Sequence, residues 1–280
     1  MPDLSTLALF TTAASALCYI IAIIRISSSI HAASQLASQD QPSAANLPGR
    51  PPWGILGAIL HFTTIGLMTM EYQGLSSSFF DALSITAFIV VTMSLIAQSH
   101  YVLRALLIPV FAIATICLAL ASLFAHHTTI VATSTGMLMH ILSSIIAYSL
   151  LSLATLQALA LQQMERGLKN HSDNRWLNQL PPLQTMESLL FQLITLGWLA
   201  LTVAIASGSI YIDDLFAQHL AHKTLFAVIS WLLFGLLLIG RQKYGWRGAT
   251  AVKWTLSAFI ALALAYFGSK FVLEVLLNKA

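Results

Sequence analysis

The sequence predicts an all-α, polytopic integral membrane protein with about eight transmembrane helices. Of its 280 residues, 58% are hydrophobic and only 8% are charged, and the mean hydropathy is +0.81. Soluble domains are typically about 25% charged. Apolar segments of about 20 residues are long enough to cross a bilayer. The lipid bilayer is therefore the expected environment. The net charge of +3 is explained by basic cytoplasmic loops, so no nucleic-acid partner is expected.

Eight apolar segments follow one another along the chain, and we treat residues 1–280 as a single membrane domain. The first span ends at Arg25, and the polar, Pro-bearing stretch from Ser27 to Arg50 is expected to be a flexible loop. The polar residues 162–188 are expected to be a cytoplasmic loop with an amphipathic helix. The predicted spans are about 4–24, 53–70, 79–97, 102–124, 132–161, 189–210, 220–239 and 254–277.

The distribution of Lys and Arg predicts the orientation of these spans. Eight spans place both termini on the same side of the membrane. If that side is the periplasm, only Lys223, Lys270 and Lys279 of the 13 Lys and Arg residues lie outside. Because cytoplasmic loops carry an excess of Lys and Arg, this bias predicts both termini outside.

Three histidines lie within or at the edge of the predicted spans, namely His61, His140 and His222. In the predicted topology all three fall in the outer half of the bilayer or at its rim. Neutral imidazole is a good axial ligand for haem iron, and histidines on two helices can clamp one macrocycle. The simpler interpretation is that each histidine hydrogen-bonds a neighbouring Ser, Thr or carbonyl group, although ionisable groups inside membranes are often functional.

Four segments carry a resemblance to a known family. They are MHILSSIIAYSLLSLATLQALALQQMERGLK, LPPLQTMESLLFQLITLGWLALTVAIASG, HKTLFAVISWLLFGLLLIGRQKYGWRG and AYFGSKFVLEVLL. Together they resemble the cytochrome c assembly family, with the closest similarity to its bacterial YpjD branch and with HemX as a relative. The resemblance runs from about Trp53 to Leu277. It implies an eight-helix protein of the bacterial inner (cytoplasmic) membrane, related to the haem-handling proteins CcsA and CcmC.

The resemblance also implies which residues would bind haem. His140 matches a CcsA histidine that contributes to the external haem site. The region of the family's tryptophan-rich loop is SGSIYIDDLFAQHLAHKTLF here, without tryptophan, and His222 lies within it. Gly240 stands where CcsA carries a further histidine. We therefore predict a haem b site with His140 and His222 as the iron ligands and His61 as a third candidate.

Two functions follow from these observations, and a third is less favoured. The first is a haem-binding, haem-handling protein in cytochrome c biogenesis or haem trafficking, with other assembly or haem-synthesis proteins as partners. The alternative is a non-enzymatic, HemX-like membrane regulator without bound haem, whose basic segments Arg166–Arg175 and Arg241–Lys253 would dock a soluble partner. The simpler explanation of these charges is that they only determine the topology of the chain in the membrane. A small-ion or solute transporter is less favoured because the spans contain almost no acids.

The sequence contains no pattern that indicates catalysis. A Ser-His-Asp pattern, a phosphate-binding loop and an HExxH motif are all missing from it. Cys18 and Cys117 lie far apart in separate apolar segments, so thiol–disulfide chemistry is not expected either. We therefore expect a protein that is not an enzyme.

Overall fold

The structure, a computed structural model, describes residues 3–37, 51–72, 74–76, 78–97, 104–124, 129–130, 135–170, 182–211 and 218–268. In these residues, eight helices are long and apolar enough to cross a membrane, which confirms the predicted fold class. The helices are α1 (Leu4–Ala37), α2 (Pro52–Glu71), α3 (Phe79–Ala97), α4 (Arg104–Leu123), α5 (Thr135–Lys169), α6 (Leu183–Tyr211), α7 (Gln218–Tyr244) and α8 (Ala249–Ala263).

Three shorter elements complete the described structure. A π-helical turn, Leu264–Gly268, continues α8. Two strands of two residues each, β1 (Leu75–Ser76) and β2 (Thr129–Ile130), pair in a two-stranded sheet.

The first helix is longer than predicted, and residues 27–37 of the expected flexible loop are helical instead. Helix α1 continues past Arg25 as far as Ala37. Ile26 and Ile30 are 4% and 5% exposed, so the extension still buries an apolar face at helical spacing. The Ser29 hydroxyl bonds the Ile26 carbonyl of its own helix, which satisfies the polar group locally. Residues 38–50 lie outside the described part of the chain.

The chain divides into two compact units. One comprises residues 1–129 and 166–181, and the other comprises residues 130–165 and 182–280. The first therefore contains helices α1 to α4, and the second contains α6 to α8 with most of α5. The single membrane domain proposed from the sequence stays a prediction.

In the first unit, α1 and α2 are antiparallel neighbours joined by polar contacts. The Thr64 hydroxyl lies 2.8 Å from that of Thr11, and the Ser15 hydroxyl donates to the carbonyl of Gly57 at 2.8 Å. Gly57 lies so close to Tyr19 that a Cβ atom there would be 2.7 Å from its ring. Small residues and hydroxyl groups at such contacts are typical of membrane helix pairs.

The ring of Tyr19 also joins α1 to α4. It stacks on Phe111, with 5.3 Å between ring centroids and 15° between planes. A Cβ atom at Gly54 would lie 2.5 Å from the Phe111 ring, so this side chain of α4 also packs against α2. Tyr19 and Phe111 are both 0% exposed and form the centre of this unit.

In the second unit, α5 and α6 run antiparallel. The side chain of Leu151 fills the space beside Gly197, where a Cβ atom would lie 2.7 Å from it. Further along α5, Gln157 Nε2 donates to the carbonyl of Met186 at 3.1 Å. Contacts further along α5 thus involve earlier residues of α6, as expected for antiparallel helices. These contacts fix the register of the pair.

Two tryptophans join α6 to α7. The rings of Trp198 and Trp231 stack at 5.5 Å and 16°. Trp198 Nε1 donates to the carbonyl of Trp231 at 3.0 Å, and Trp231 Nε1 donates to the Thr202 hydroxyl at 2.8 Å. Both indole N–H groups are thereby satisfied inside the bundle, so this pair fixes the register of α6 and α7.

Candidate functional site

His140 lies in the second turn of α5 and faces α6. Its Nδ1 atom is 2.8 Å from the backbone carbonyl oxygen of Ala204. Ala204 is 3% exposed, so its backbone carbonyl lies in a buried part of α6. The His140 side chain itself is half-buried. The register of the α5–α6 pair therefore decides which carbonyl the imidazole meets.

The Ala204 carbonyl determines the tautomer of His140. A carbonyl oxygen only accepts hydrogen bonds, so Nδ1 carries the hydrogen and Nε2 of the neutral ring is the unprotonated nitrogen. Within the described part of the chain, Nε2 has no hydrogen-bond partner. Metal-ligating histidines are commonly oriented in this way, with the second ring nitrogen on a backbone carbonyl. The arrangement is thus chemically suited to an axial ligand, and that role stays a prediction.

His222 lies in the first turns of α7, in a segment whose side chains are outside the described part of the structure. The predicted pairing of His140 with His222 on one iron therefore also stays a prediction. Lys223 follows it and is half-buried.

His61, the third predicted ligand, lies in the first unit and is 0% exposed. Its Nε2 atom is 2.9 Å from the Ser84 hydroxyl of α3, and its Nδ1 atom is 3.3 Å from the Tyr19 hydroxyl of α1. The ring also meets Phe88 edge-on, at 5.5 Å between centroids. The simpler interpretation of His61 was a hydrogen bond to a neighbouring Ser, Thr or carbonyl group. The bond to Ser84 agrees with that interpretation.

Sequence reasoning missed the hydroxyl groups that bond α1 to α2 and to His61, although a signal for them exists. Thr11, Ser15 and Tyr19 recur every four residues along α1. Residues at this spacing share one helix face, so polar residues repeated in this way mark a buried contact face. Ser84, which bonds His61 from α3, cannot be found from this repeat because it lies on a different helix.

Tyr148 makes a further polar contact of α5 that the sequence did not reveal. Its hydroxyl donates to the carbonyl of Leu262 on α8 at 2.6 Å. The π-helical turn begins two residues later, and two of its aromatic rings, Tyr266 and Phe267, meet Tyr148 edge-on at 6.0 Å and 5.6 Å. Single π-helical turns are frequent at functional sites, so this cluster is a candidate for positioning a ligand beside α5.

The position of Gly240 is closed by an aromatic ring. A Cβ atom at Gly240 would lie 2.5 Å from Trp246 Cδ2, so no side chain fits there without moving the indole. Trp246 is held in turn by stacking on Trp254, with 5.3 Å between centroids. A histidine at this position would displace Trp246. The packing of this turn thus accounts for the glycine.

The turn between α7 and α8 is tied to α6 by a carboxylate. Gly245 adopts a positive φ of 66°, and its N–H bonds the Arg241 carbonyl, which is a helix C-cap that glycine favours. The N–H of Gly248 donates to Glu187 Oε1 at 3.0 Å. This carboxylate lies at the N-terminus of α8, where negative charge is stabilising.

Comparison with known proteins shows which family the chain resembles. The family model described as "Cytochrome C assembly protein" matches residues 53–277. The inner membrane protein YpjD of Escherichia coli (strain K12) is 34% identical over 173 residues, which cover 61% of this chain and 65% of that protein. An uncharacterized 28.8 kDa protein of Azospirillum brasilense is 34% identical over 142 residues, 50% of this chain and 52% of the relative.

A more distant relative has a named role. The cytochrome c biogenesis protein CcsA of Synechococcus sp. (strain CC9902) is 26% identical over 158 residues, 48% of this chain and 52% of that protein. The chain thus spans between about half and 65% of the length of these curated relatives. No solved structure matches it significantly. Since the family model covers most of its length, the chain belongs to the cytochrome c assembly protein family.

Proposed function

We propose that this protein binds and hands on haem during cytochrome c assembly, and that His140 Nε2 is one axial ligand of the iron. The observation that carries the proposal is the bond from His140 Nδ1 to the Ala204 carbonyl. It holds the ring in the tautomer whose Nε2 lone pair can bind a metal. Family membership supports a role in cytochrome c biogenesis.

The surroundings of His140 supply apolar surface for a macrocycle. Leu138, Met139 and Leu142 of α5 are 43%, 54% and 49% exposed, so haem or lipid can cover them. Bound haem supplies an iron centre that accepts a nitrogen ligand. The chain supplies the ligand and its orientation, and His222 on α7 is the proposed second ligand. The role is one of binding and transfer, without a catalytic step by this chain.

The proposed location is the bacterial inner membrane. YpjD is described as an inner membrane protein, and this chain has eight helices suited to crossing a membrane in the residues that the structure describes. A multi-pass protein there is in a position to receive haem within the bilayer. Its proposed partners are other cytochrome c assembly or haem-synthesis proteins.

The test is a visible absorption spectrum of the detergent-purified protein, oxidised and then reduced with dithionite. We expect a low-spin b-type spectrum that is lost in His140→Ala and in His222→Ala. Ser143→Ala is the matched control, because Ser143 lies one turn away on α5 and its hydroxyl bonds only carbonyl groups of its own helix. Imidazole added to His140→Gly should restore part of the spectrum. A colourless wild-type protein that also fails to bind added haemin would disprove the proposal.

The alternative function is a non-enzymatic membrane regulator, and one surface favours it. Arg241 lies over the ring of Phe191, with 3.8 Å between its Cζ atom and the centroid. Lys243, Tyr244 and Arg247 are exposed beside it. Such a basic and aromatic surface suits an acidic partner protein. If charge reversal at Lys243 and Arg247 abolished function in cells while membrane insertion and the haem spectrum stayed normal, the regulator would become the better description.

A further inference from the structure

A polar cavity lies within the first unit, separate from His140. The volume open to the centre of a water molecule is about 40 Å³. Helices α1 to α4 all contribute to its walls, and six of the lining residues carry oxygen-bearing side chains: Thr12, Thr64, Thr69, Asp81, Ser84 and Ser122. One enclosed water needs about 10–15 Å³ by this measure, so the cavity holds a few waters or one partly hydrated ion.

Three of the cavity hydroxyl groups, those of Thr64, Thr69 and Ser122, present lone pairs because their hydrogens are already donated. The hydroxyl of Thr69 donates to the Ile65 carbonyl at 2.7 Å, and that of Ser122 donates to the Ala119 carbonyl at 2.9 Å. The single hydrogen of Thr64 is likewise used within the protein. A hydroxyl that has donated its hydrogen offers only acceptor capacity. Such a lining suits a cation or the hydrogens of water.

Thr12 provides an independent sign of a missing ligand. The residue is 7% exposed, and its hydroxyl oxygen is buried without a hydrogen-bond partner among the described residues, although Thr12 lines the cavity. Leaving a buried hydroxyl unsatisfied costs about 1–3 kcal/mol. A ligand in the cavity would relieve this cost.

The charge of the cavity selects the class of ion. Asp81 is the acidic residue in the lining, and it forms no ion pair with a side chain that the structure describes. Burial raises the pKa of Tyr72, and the nearby charges of Glu71 and Asp81 raise it further. Hard cations prefer oxygen ligands. One lining carboxylate balances one positive charge.

We propose that this cavity is a binding site for a single small monovalent cation of the sodium type, held by Asp81 and the hydroxyl oxygens of Thr12, Thr64, Thr69, Ser84 and Ser122. Occupancy acts on His61 through Ser84. A cation bound to the Ser84 oxygen directs the hydroxyl hydrogen toward His61 Nε2, 2.9 Å away. The neutral ring then carries its hydrogen on Nδ1, so the ion and the tautomer of His61 are linked.

The experiment measures binding of radioactive sodium to the detergent-purified full chain, together with thermal unfolding in sodium chloride and in choline chloride at equal ionic strength. We expect saturable binding of one sodium ion per chain and a rise in unfolding temperature in sodium, because a ligand stabilises the state that binds it. Asp81→Asn should abolish the saturable binding, and Thr12→Val should weaken it several-fold.

A second test uses the stability of Thr12→Val and does not depend on Asp81. Because it removes an unpartnered hydroxyl and nearly preserves shape, the variant should be at least as stable as the wild type in choline and less stabilised by sodium. Thr63→Val is the control, since Thr63 is exposed on α2 and bonds only the Ile59 carbonyl. Absence of saturable binding by the folded wild type would mean that the cavity holds water only and would overturn the proposal. Binding that survives both substitutions, or displacement by micromolar calcium, would overturn it as well.

Discussion

The imidazole of His61 is joined through Nε2 to the Ser84 hydroxyl, with 2.9 Å between the two atoms. Its Nδ1 atom faces the Tyr19 hydroxyl at 3.3 Å, and the residue is 0% exposed. His61 can bind haem iron only if one of these hydrogen bonds is broken. The structure thus favours the interpretation of His61 as a hydrogen-bonded core residue over its interpretation as a haem ligand.

We predict that His61→Leu destabilises the protein without changing the haem spectrum. The substitution leaves the buried hydroxyls of Tyr19 and Ser84 without their partner, which costs about 1–3 kcal/mol. Thermal unfolding in detergent measures the loss, and Phe62→Leu on the exposed face of α2 is the control. If the folded variant lost the haem absorbance, His61 would be a ligand after all.

We predict that Gly240→Ala destabilises the protein because its Cβ atom would overlap the Trp246 ring. Overpacking of this kind typically costs about 1–3 kcal/mol. Gly240→His should be worse. Combining Gly240→Ala with Trp246→Ala should cost less than the sum of the single changes, since the clash is then removed. Additive free energies of unfolding would show that the two residues are not in contact.

We predict that Glu187→Ala loosens the turn between α7 and α8. It removes the acceptor of the Gly248 N–H, a hydrogen bond to a charged group worth about 1.5–3 kcal/mol. Glu187→Gln keeps an acceptor oxygen and should cost less. Gln184→Ala, on an exposed position of the same helix, is the control. Hydrogen exchange of residues 245–248 should rise in Glu187→Ala, and unchanged protection would contradict the role of this carboxylate.

We predict that single cysteines report the orientation of the chain. Cys18 and Cys117 are buried, so the background labelling of the native chain should be low. Because the predicted topology places both termini outside, Thr135→Cys should react with a membrane-impermeant maleimide in intact spheroplasts. Lys243→Cys should react only after the membrane is permeabilised. The reverse pattern would show that both termini face the cytoplasm.

Much of the fold could be predicted from local sequence. The spans appear as apolar segments of sufficient length, and the basic loops follow them. The end of α1 could not be predicted from its serines, because Ser28 and Ser29 bond carbonyl groups of their own helix and do not interrupt it. A polar composition therefore suggested a loop where the described helix continues to Ala37.

The candidate site was predictable only in part. His140 stood out as an imidazole in a long apolar segment, and the resemblance to a haem-handling family gave it a role. Its partner is a backbone carbonyl, which every residue possesses, so no residue type distinguishes Ala204 as that partner. The lining of the polar cavity was equally hidden, because its hydroxyl groups come from four separate helices.

The sequence by itself determined that this chain forms eight membrane-spanning helices, because a bilayer requires long apolar segments whose backbone hydrogen bonds are satisfied within each helix. Only the tertiary structure decided how each helix is rotated and in what register it meets its neighbours. Those choices depend on the packing of side chains that are distant in sequence, such as Tyr19 on Phe111 and Trp198 on Trp231. They place Ser84 on His61 and the Ala204 carbonyl on His140, and thereby set the chemistry of both histidines.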